Sequence, residues 1–306
     1  MADSGWSLRT RLLFLVLAGC WGLNYPFVVL GLGSAAPLWL ALLRAAVGLA
    51  VSAGVVGLVG GWGVLDRAGR RDAALLGLLN ASAFFGLWFW AARLVTPGLA
   101  AIVIYTFPLW VAVLAIPVLG TRLGRWQWGA VGIGFAGVVL ISGIGLAGSA
   151  PFPLSAAAVL GLAAIAWAIG TVLTRRRFDR TEMLEANVYQ LVGGTLGLVV
   201  AVALLEPLPL PRLSPDLAFS VIWLGVMGTA VAYSIWYTLL GRISPAPLSA
   251  YLFLVPVVAL SASAVFFGER LSAIQLAGVA LVLVSIYGVS RGTPVGSARA
   301  PAPSER

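Results

Sequence analysis

The chain has 306 residues, 61% of them hydrophobic and 9% charged, with a net charge of +9 and a mean hydropathy of +1.03. A soluble domain of this length cannot bury so much apolar surface in one core, which leaves a polytopic membrane protein in a lipid bilayer. The charge comes from 19 arginines with no lysine. They punctuate apolar runs and form no basic stripe with interleaved aromatics, so no nucleic-acid partner is expected. With one cysteine and no histidine, disulfide pairs, multi-cysteine or His-ligated metal sites and His-based catalysis are all excluded, and no cofactor is expected.

Ten apolar segments follow in chain order, each near the ~20 residues that cross hydrocarbon as a helix. Their length and internal Gly and Pro favour helices over the shorter alternating strands of a barrel. Span 1 (12–32) follows Arg9 and Arg11 and contains Leu17-Ala18-Gly19-Cys20, which resembles a lipoprotein signal. The apolar run continues through Trp21 to Leu32, longer than a signal core, so the span is read as retained. Trp21, Asn24 and Tyr25 are its candidate substrate contacts. Span 2 (37–59) carries Arg44, roughly 10 Å along the helix from its outer end at 1.5 Å per residue. A side chain snorkelling to the interface is favoured there over a clamp for a substrate carboxylate.

Span 3 (73–92) concentrates aromatics, among them Phe85 and Trp88, and holds Asn80; span 4 (96–119) holds Pro97, Tyr105 and Pro108. In span 5 (126–144) the small residues Ala130, Gly132, Gly134, Ala136 and Gly137 suit close helix packing, so this span reads as scaffold, as does span 10 (272–290). Span 6 (154–173) carries Trp167, span 7 (182–204) Gln190, span 8 (217–240) Tyr233, Trp236 and Tyr237, and span 9 (245–267) Pro245, Tyr251 and Pro256.

Residues 96–142 recur in residues 244–290 at a constant separation of 148 positions, pairing Pro97 with Pro245, Pro108 with Pro256, Arg122 with Arg270 and Gln127 with Gln275. Trp88 pairs with Trp236 in the same register, and Trp21 aligns with Trp167 two positions short of it. The chain therefore divides into halves 1–148 and 149–291, with a linker around Gly145–Pro153 and a Pro/Ala/Ser-rich, disordered cytoplasmic tail at 292–306. With a cytoplasmic N-terminus, fifteen arginines fall inside and only Arg93, Arg212 and Arg270 outside. That bias puts both termini in the cytoplasm, and five spans per half invert the second half relative to the first. The expected fold class is all-α integral membrane: ten transmembrane helices as two inverted five-helix repeats around a central cavity.

Proline inside a span removes a backbone donor and bends the helix, which makes Pro97, Pro108, Pro245 and Pro256 candidate gating kinks. The aromatic residues read as a cavity wall for aromatic or apolar ligand groups, the plain alternative being lipid-facing rings. Asp and Glu stand only near span ends; Glu185 is the one candidate for proton coupling, and a structural ion pair is favoured for it. Gradient-driven efflux is therefore preferred to proton antiport. No serine–lysine, paired-aspartate or metal-ligand constellation is present in the spans, so the chain is not read as an enzyme.

Gly268-Glu269-Arg270-Leu271 through Gln275 to Gly278, following Pro256, resembles the signature of EamA-type members of the drug/metabolite transporter superfamily. Gly120-Thr121-Arg122-Leu123 to Gln127 is a weaker copy, with Thr121 in place of the glutamate. The aromatic content is similar to that of YddG-type amino-acid exporters. The resemblance implies a ten-helix inner-membrane carrier that moves small metabolites outward through a central cavity. The expected substrates are amino acids, aromatic and apolar ones included, handled by a monomer through alternating access. Export of drugs or hydrophobic cations is the alternative, followed by a membrane protein that transports nothing.

Overall fold

A computed structural model describes residues 7–92, 94, 100, 103–121, 123–141, 154–267 and 272–291. Among these residues all regular structure is helical. In chain order the helices are α1 (Leu8–Gly22), α2 (Asn24–Leu32), α3 (Pro37–Leu58), α4 (Arg67–Ala91), α5 (Phe107–Leu119), α6 (Arg125–Ile141), α7 (Leu154–Arg177), α8 (Met183–Leu205), α9 (Pro215–Leu240), α10 (Pro245–Ala250), α11 (Leu254–Phe267) and α12 (Ala273–Arg291). Among the described residues, six stretches are long and apolar enough to cross a membrane: Leu8–Leu32, α3, α4, α7, α8 and α9. The remaining apolar helices are shorter. Pro97, the 145–153 linker, the signature residues 268–271 and the tail 292–306 lie outside the described residues.

Local chemistry explains where the helices begin. The side chains of Ser7, Asp66 and Ser214 accept the backbone N–H groups of Thr10, Gly69 and Leu217, capping α1, α4 and α9. Proline opens α3, α9 and α10, because its missing donor falls among groups unpaired at a helix start. Two of the expected kinks are corrected by this. Pro245 starts α10 rather than bending a helix, and Pro108 lies in the first turn of α5, behind a turn at Tyr105–Thr106. Pro256 likewise sits in the first turn of α11, behind a 3₁₀ turn at Tyr251–Phe253. The chain is broken ahead of both prolines, at matching places in the two copies of the repeat.

Hydrogen bonds and charges sort the loops between two ends. At one end Arg177 Nε reaches Asp72 Oδ2 at 2.7 Å and Arg70 Nε lies 3.6 Å from Glu185 Oε1. Arg242 joins them: desolvation, then the charges of Arg180 and Arg9, hold its guanidinium below the usual arginine range. At the other end Ser34 Oγ lies 2.9 Å from Ser214 Oγ, and Glu206 Oε2 accepts the N–H of Leu38 at 2.8 Å. The loops after α3, α7 and α9 thus gather with the start of α1, opposite the loops after α2 and α8.

Close packing rests on glycine. A side chain at Gly48 of α3 would strike Thr229 and the Gly225 carbonyl of α9; one at Gly194 of α8 would strike Ala81 and the Gly77 carbonyl of α4. Each residue in the second contact stands 146 or 148 positions from its counterpart in the first. The most extensive pairing is α6 on α12, where Gly137 and Gly278 abut each other's carbonyls. Ala130 and Gly134 are also buried in α6, whereas Gly132 and Ala136, expected in the same seam, face outward. Leu12, Leu15, Leu196, Val200 and Leu204 are exposed on the outer surface, as suits side chains that meet hydrocarbon.

Two helices contain widened π turns, at Leu78–Ala83 in α4 and Trp223–Val231 in α9. Shifted by 148 positions, the first falls within the second. Segments of this kind recur at functional sites.

Candidate functional site

The aromatic residues converge between the two π segments. Trp21, at the end of α1, meets Trp167 of α7 edge-on, with centroids 5.8 Å apart, and also packs on Tyr233 and Trp236 of α9. Trp167 in turn contacts Tyr233 at 5.4 Å and Phe84 at 4.7 Å. Phe85 lies nearly parallel to Tyr233, 19° between planes and 5.8 Å between centroids. Trp21 with Trp167, and Phe85 with Tyr233, are each matching positions of the repeat, so equivalent residues face one another here. Of the other expected pair, Trp236 is fully buried in this cluster, while Trp88 is half-buried and stacks on Phe84.

Arg44 corrects the sequence reading. It is only 1% exposed and points inward, not to the membrane interface. Its guanidinium lies 4.2 Å from the centroid of Phe85 and within 6 Å of Trp88 and Phe89, where ring faces partly compensate a buried cation. Nε donates to Thr229 Oγ1 at 2.9 Å and one terminal nitrogen to the Gly228 carbonyl at 3.0 Å. The other terminal nitrogen, Nη1, is buried with no hydrogen-bond partner, and no carboxylate lies within ion-pair distance among the described residues. The Gly228 carbonyl also accepts Trp21 Nε1 at 3.1 Å. Gly228 also faces Asn24, whose amide occupies the space a Cβ would need; Asn24 Oδ1 is buried and unpartnered.

The matching place in the repeat is built differently. Gln190 stands 146 positions after Arg44 and Asn80 stands 148 before Gly228. Gln190 Oε1 accepts Asn80 Nδ2 at 2.5 Å and the Tyr237 hydroxyl at 2.7 Å, and Gln190 Nε2 donates to Thr174 Oγ1 at 3.3 Å. The Tyr233 hydroxyl donates to the Asn80 carbonyl at 3.3 Å. Asn80 packs on Gly170 as Asn24 packs on Gly228. One half offers a buried cation; the other offers neutral groups bonded mainly to each other.

Tyr105 and Tyr251 sit at the helix breaks, in ring contact with Phe107 and Phe14 respectively. Tyr25 is half-buried beside Asn24. Sequence reading missed Gly228 and Thr229 and did not place Asn80 among the substrate contacts; the repeat register pairs Gly228 with Asn80 and so links two of the three. Glu185, the coupling candidate, is spent on structure. Its Oε2 accepts the N–H groups of Val64 and Leu65 at 2.7 and 2.8 Å, and its Oε1 lies 3.6 Å from Arg70 Nε.

Comparison with known proteins decides the family. The pattern of the EamA-like transporter family matches residues 8–143 and again 154–291. The chain belongs to that family. Protein PecM of Dickeya dadantii is 32% identical over 89% of this chain and 90% of its own length. An uncharacterized inner membrane transporter, YedA of Escherichia coli K12, is 29% identical over 89% of this chain and 87% of its own. A probable amino-acid metabolite efflux pump of Salmonella typhimurium is 29% identical over 92% and 94%. One solved structure, 20% identical, superposes with a TM-score of 0.75 over 92% of this chain and 97% of that one, which establishes a shared fold. This EamA-family protein is a membrane transporter and not an enzyme.

Proposed function

We propose that the protein exports small metabolites, chiefly amino acids with aromatic and apolar side chains, across a bacterial inner membrane by alternating access. The meeting of equivalent rings, Trp21 with Trp167 and Phe85 with Tyr233, carries this reading. Two inverted halves, five helices each over 1–148 and 149–291, bring matching residues together only at their common axis, where a carrier of this design holds its cargo. Aromatic faces at that axis suit stacking against a cargo side chain. Trp21, Asn24, Tyr25, Phe85, Trp88, Trp167, Gln190, Tyr233, Trp236 and Tyr237 form the binding region. Tyr105 and Tyr251 mark the breaks, ahead of Pro108 and Pro256, at which the two copies of the repeat flex in turn. The arginine-rich end, with both termini, faces the cytoplasm.

The Salmonella relative described as a probable amino-acid metabolite efflux pump supports the substrate class. The bonded Glu185 supports gradient-driven efflux over proton antiport, and the monomer contains the whole site. The test is a panel of labelled amino acids in proteoliposomes, with and without a pH gradient. Saturable counterflow of phenylalanine, tryptophan or leucine, indifferent to the gradient, is expected; if no amino acid moves under either condition, the substrate assignment fails.

A further inference from the structure

Arg44 holds a full positive charge in the middle of an apolar bundle, 1% exposed and without an acidic partner among the described residues. Three acidic groups on α4 and α8 are committed elsewhere: Glu185 to the Val64 and Leu65 N–H groups, Glu206 at the end of α8 to Leu38, and Asp72 to Arg177. Phe85 and the Gly228 carbonyl hold the guanidinium in place but do not neutralise it. Nη1 still carries donors with nothing to receive them. A buried cation left in this state is costly unless a mobile anion completes it. Arginine suits a carboxylate better than any other planar anion of a metabolite, through charge-assisted hydrogen bonds.

Across Gly228 stands the complementary group. Asn24 Oδ1 is an acceptor, 2% exposed and unpartnered, with its amide pressed against the glycine whose carbonyl Arg44 holds. A donor for a carboxylate and an acceptor for an ammonium thus belong to side chains that meet on one residue, Arg44 bonded to its carbonyl and Asn24 packed at its Cα. The opposite half has Gln190 where this one has Arg44, so among the described residues the repeat does not supply a second cation at the matching place.

We propose that Arg44 Nη1 and Asn24 Oδ1, brought together around Gly228, read the carboxylate and ammonium of a free α-amino acid, so that a carboxylate is obligatory in every substrate and organic cations are excluded. The inference rests on the export of amino acids proposed above. It orients the cargo with its backbone toward α3 and its side chain among Trp21, Trp167 and Tyr233.

The experiment is competition against labelled phenylalanine in proteoliposome counterflow, with ligand-induced thermal stabilisation of the detergent-solubilised protein as a second readout. Three probes are used: phenylalanine, 3-phenylpropionate, which lacks the ammonium, and phenethylamine, which lacks the carboxylate. Phenylalanine is expected to bind best, 3-phenylpropionate more weakly, and phenethylamine not at all. Arg44→Gln is expected to weaken phenylalanine roughly a hundredfold, the scale of losing one partner of a buried charge pair, and Arg44→Lys less. Asn24→Leu is expected to erase the difference between phenylalanine and 3-phenylpropionate. Phenethylamine competing as well as phenylalanine on the unaltered protein overturns the inference, whatever the variants do. A folded Arg44→Gln with unchanged affinity overturns it too. In both of those cases amino-acid export itself stands; if no labelled amino acid of the wider panel is carried or stabilises the protein, that reading falls and takes the inference with it.

Discussion

Phe85 meets both Arg44 and Tyr233: the guanidinium lies 4.2 Å from the centroid of its ring, and the Tyr233 ring stacks nearly parallel to it with centroids 5.8 Å apart. Replacing Phe85 by leucine keeps the volume roughly but removes both ring interactions. Each is worth about 1–2 kcal/mol in a dry setting. The expected outcome is a KM for phenylalanine raised roughly tenfold with the protein still folded, read by counterflow and melting temperature together. An unchanged KM would remove Phe85 from the site.

Gly228 and Gly170 occupy matching roles beneath Asn24 and Asn80. Alanine at either position drives a methyl group into the amide, with an expected loss of about 1–3 kcal/mol. Gly228→Ala combined with Asn24→Ala should regain most of that stability and none of the transport. Thermal unfolding in detergent separates the two effects, and a double variant no more stable than Gly228→Ala alone would show that the contact is not what is being lost.

Helices α4 and α8 approach most closely at Gly77 and Gly193, where an added Cβ would overlap the backbone of Gln190 and Ala74. Backbone cannot yield as a side-chain tip can, so Gly77→Ala and Gly193→Ala are expected to abolish accumulation of folded protein. Gly161→Ala, in open space on α7, is the control and should be neutral or slightly stabilising. Monodispersity on size-exclusion chromatography is the readout.

Glu185→Gln retains an acceptor for Val64 and Leu65 but loses the charge that strengthens those bonds. A stability loss of about 1–3 kcal/mol with transport preserved is expected, with or without a pH gradient. Uphill movement abolished in a protein of normal melting temperature would instead assign Glu185 to coupling.

Pairs such as Trp21 with Trp167 were visible in the sequence because identical residues recur at a fixed interval, and so were the apolar stretches. The direction of Arg44 was not. In a bundle whose outer surface meets hydrocarbon, both faces of a helix are apolar, and periodicity cannot tell the inward face from the outward one. Pro108 and Pro245 were misread for a related reason: a proline inside a long apolar run looks internal until the preceding turn is seen to end the helix. The π segments have no residue signature of their own, and Gly228 matters only through what it touches.

Glu185 and Glu206 sit at opposite ends of α8; Glu206 grips the start of α3 through the Leu38 amide, and Glu185 grips the end of the loop between α3 and α4 through the Val64 and Leu65 amides. A beam pinned at both supports cannot slide along its neighbour. Slippage by one helical turn, about 5.4 Å, would break both grips at once. Helix α8 is thereby held in register against the segment that runs from the start of α3 to the start of α4. A motion that keeps these bonds can tilt α8 and that segment together but cannot slide one along the other.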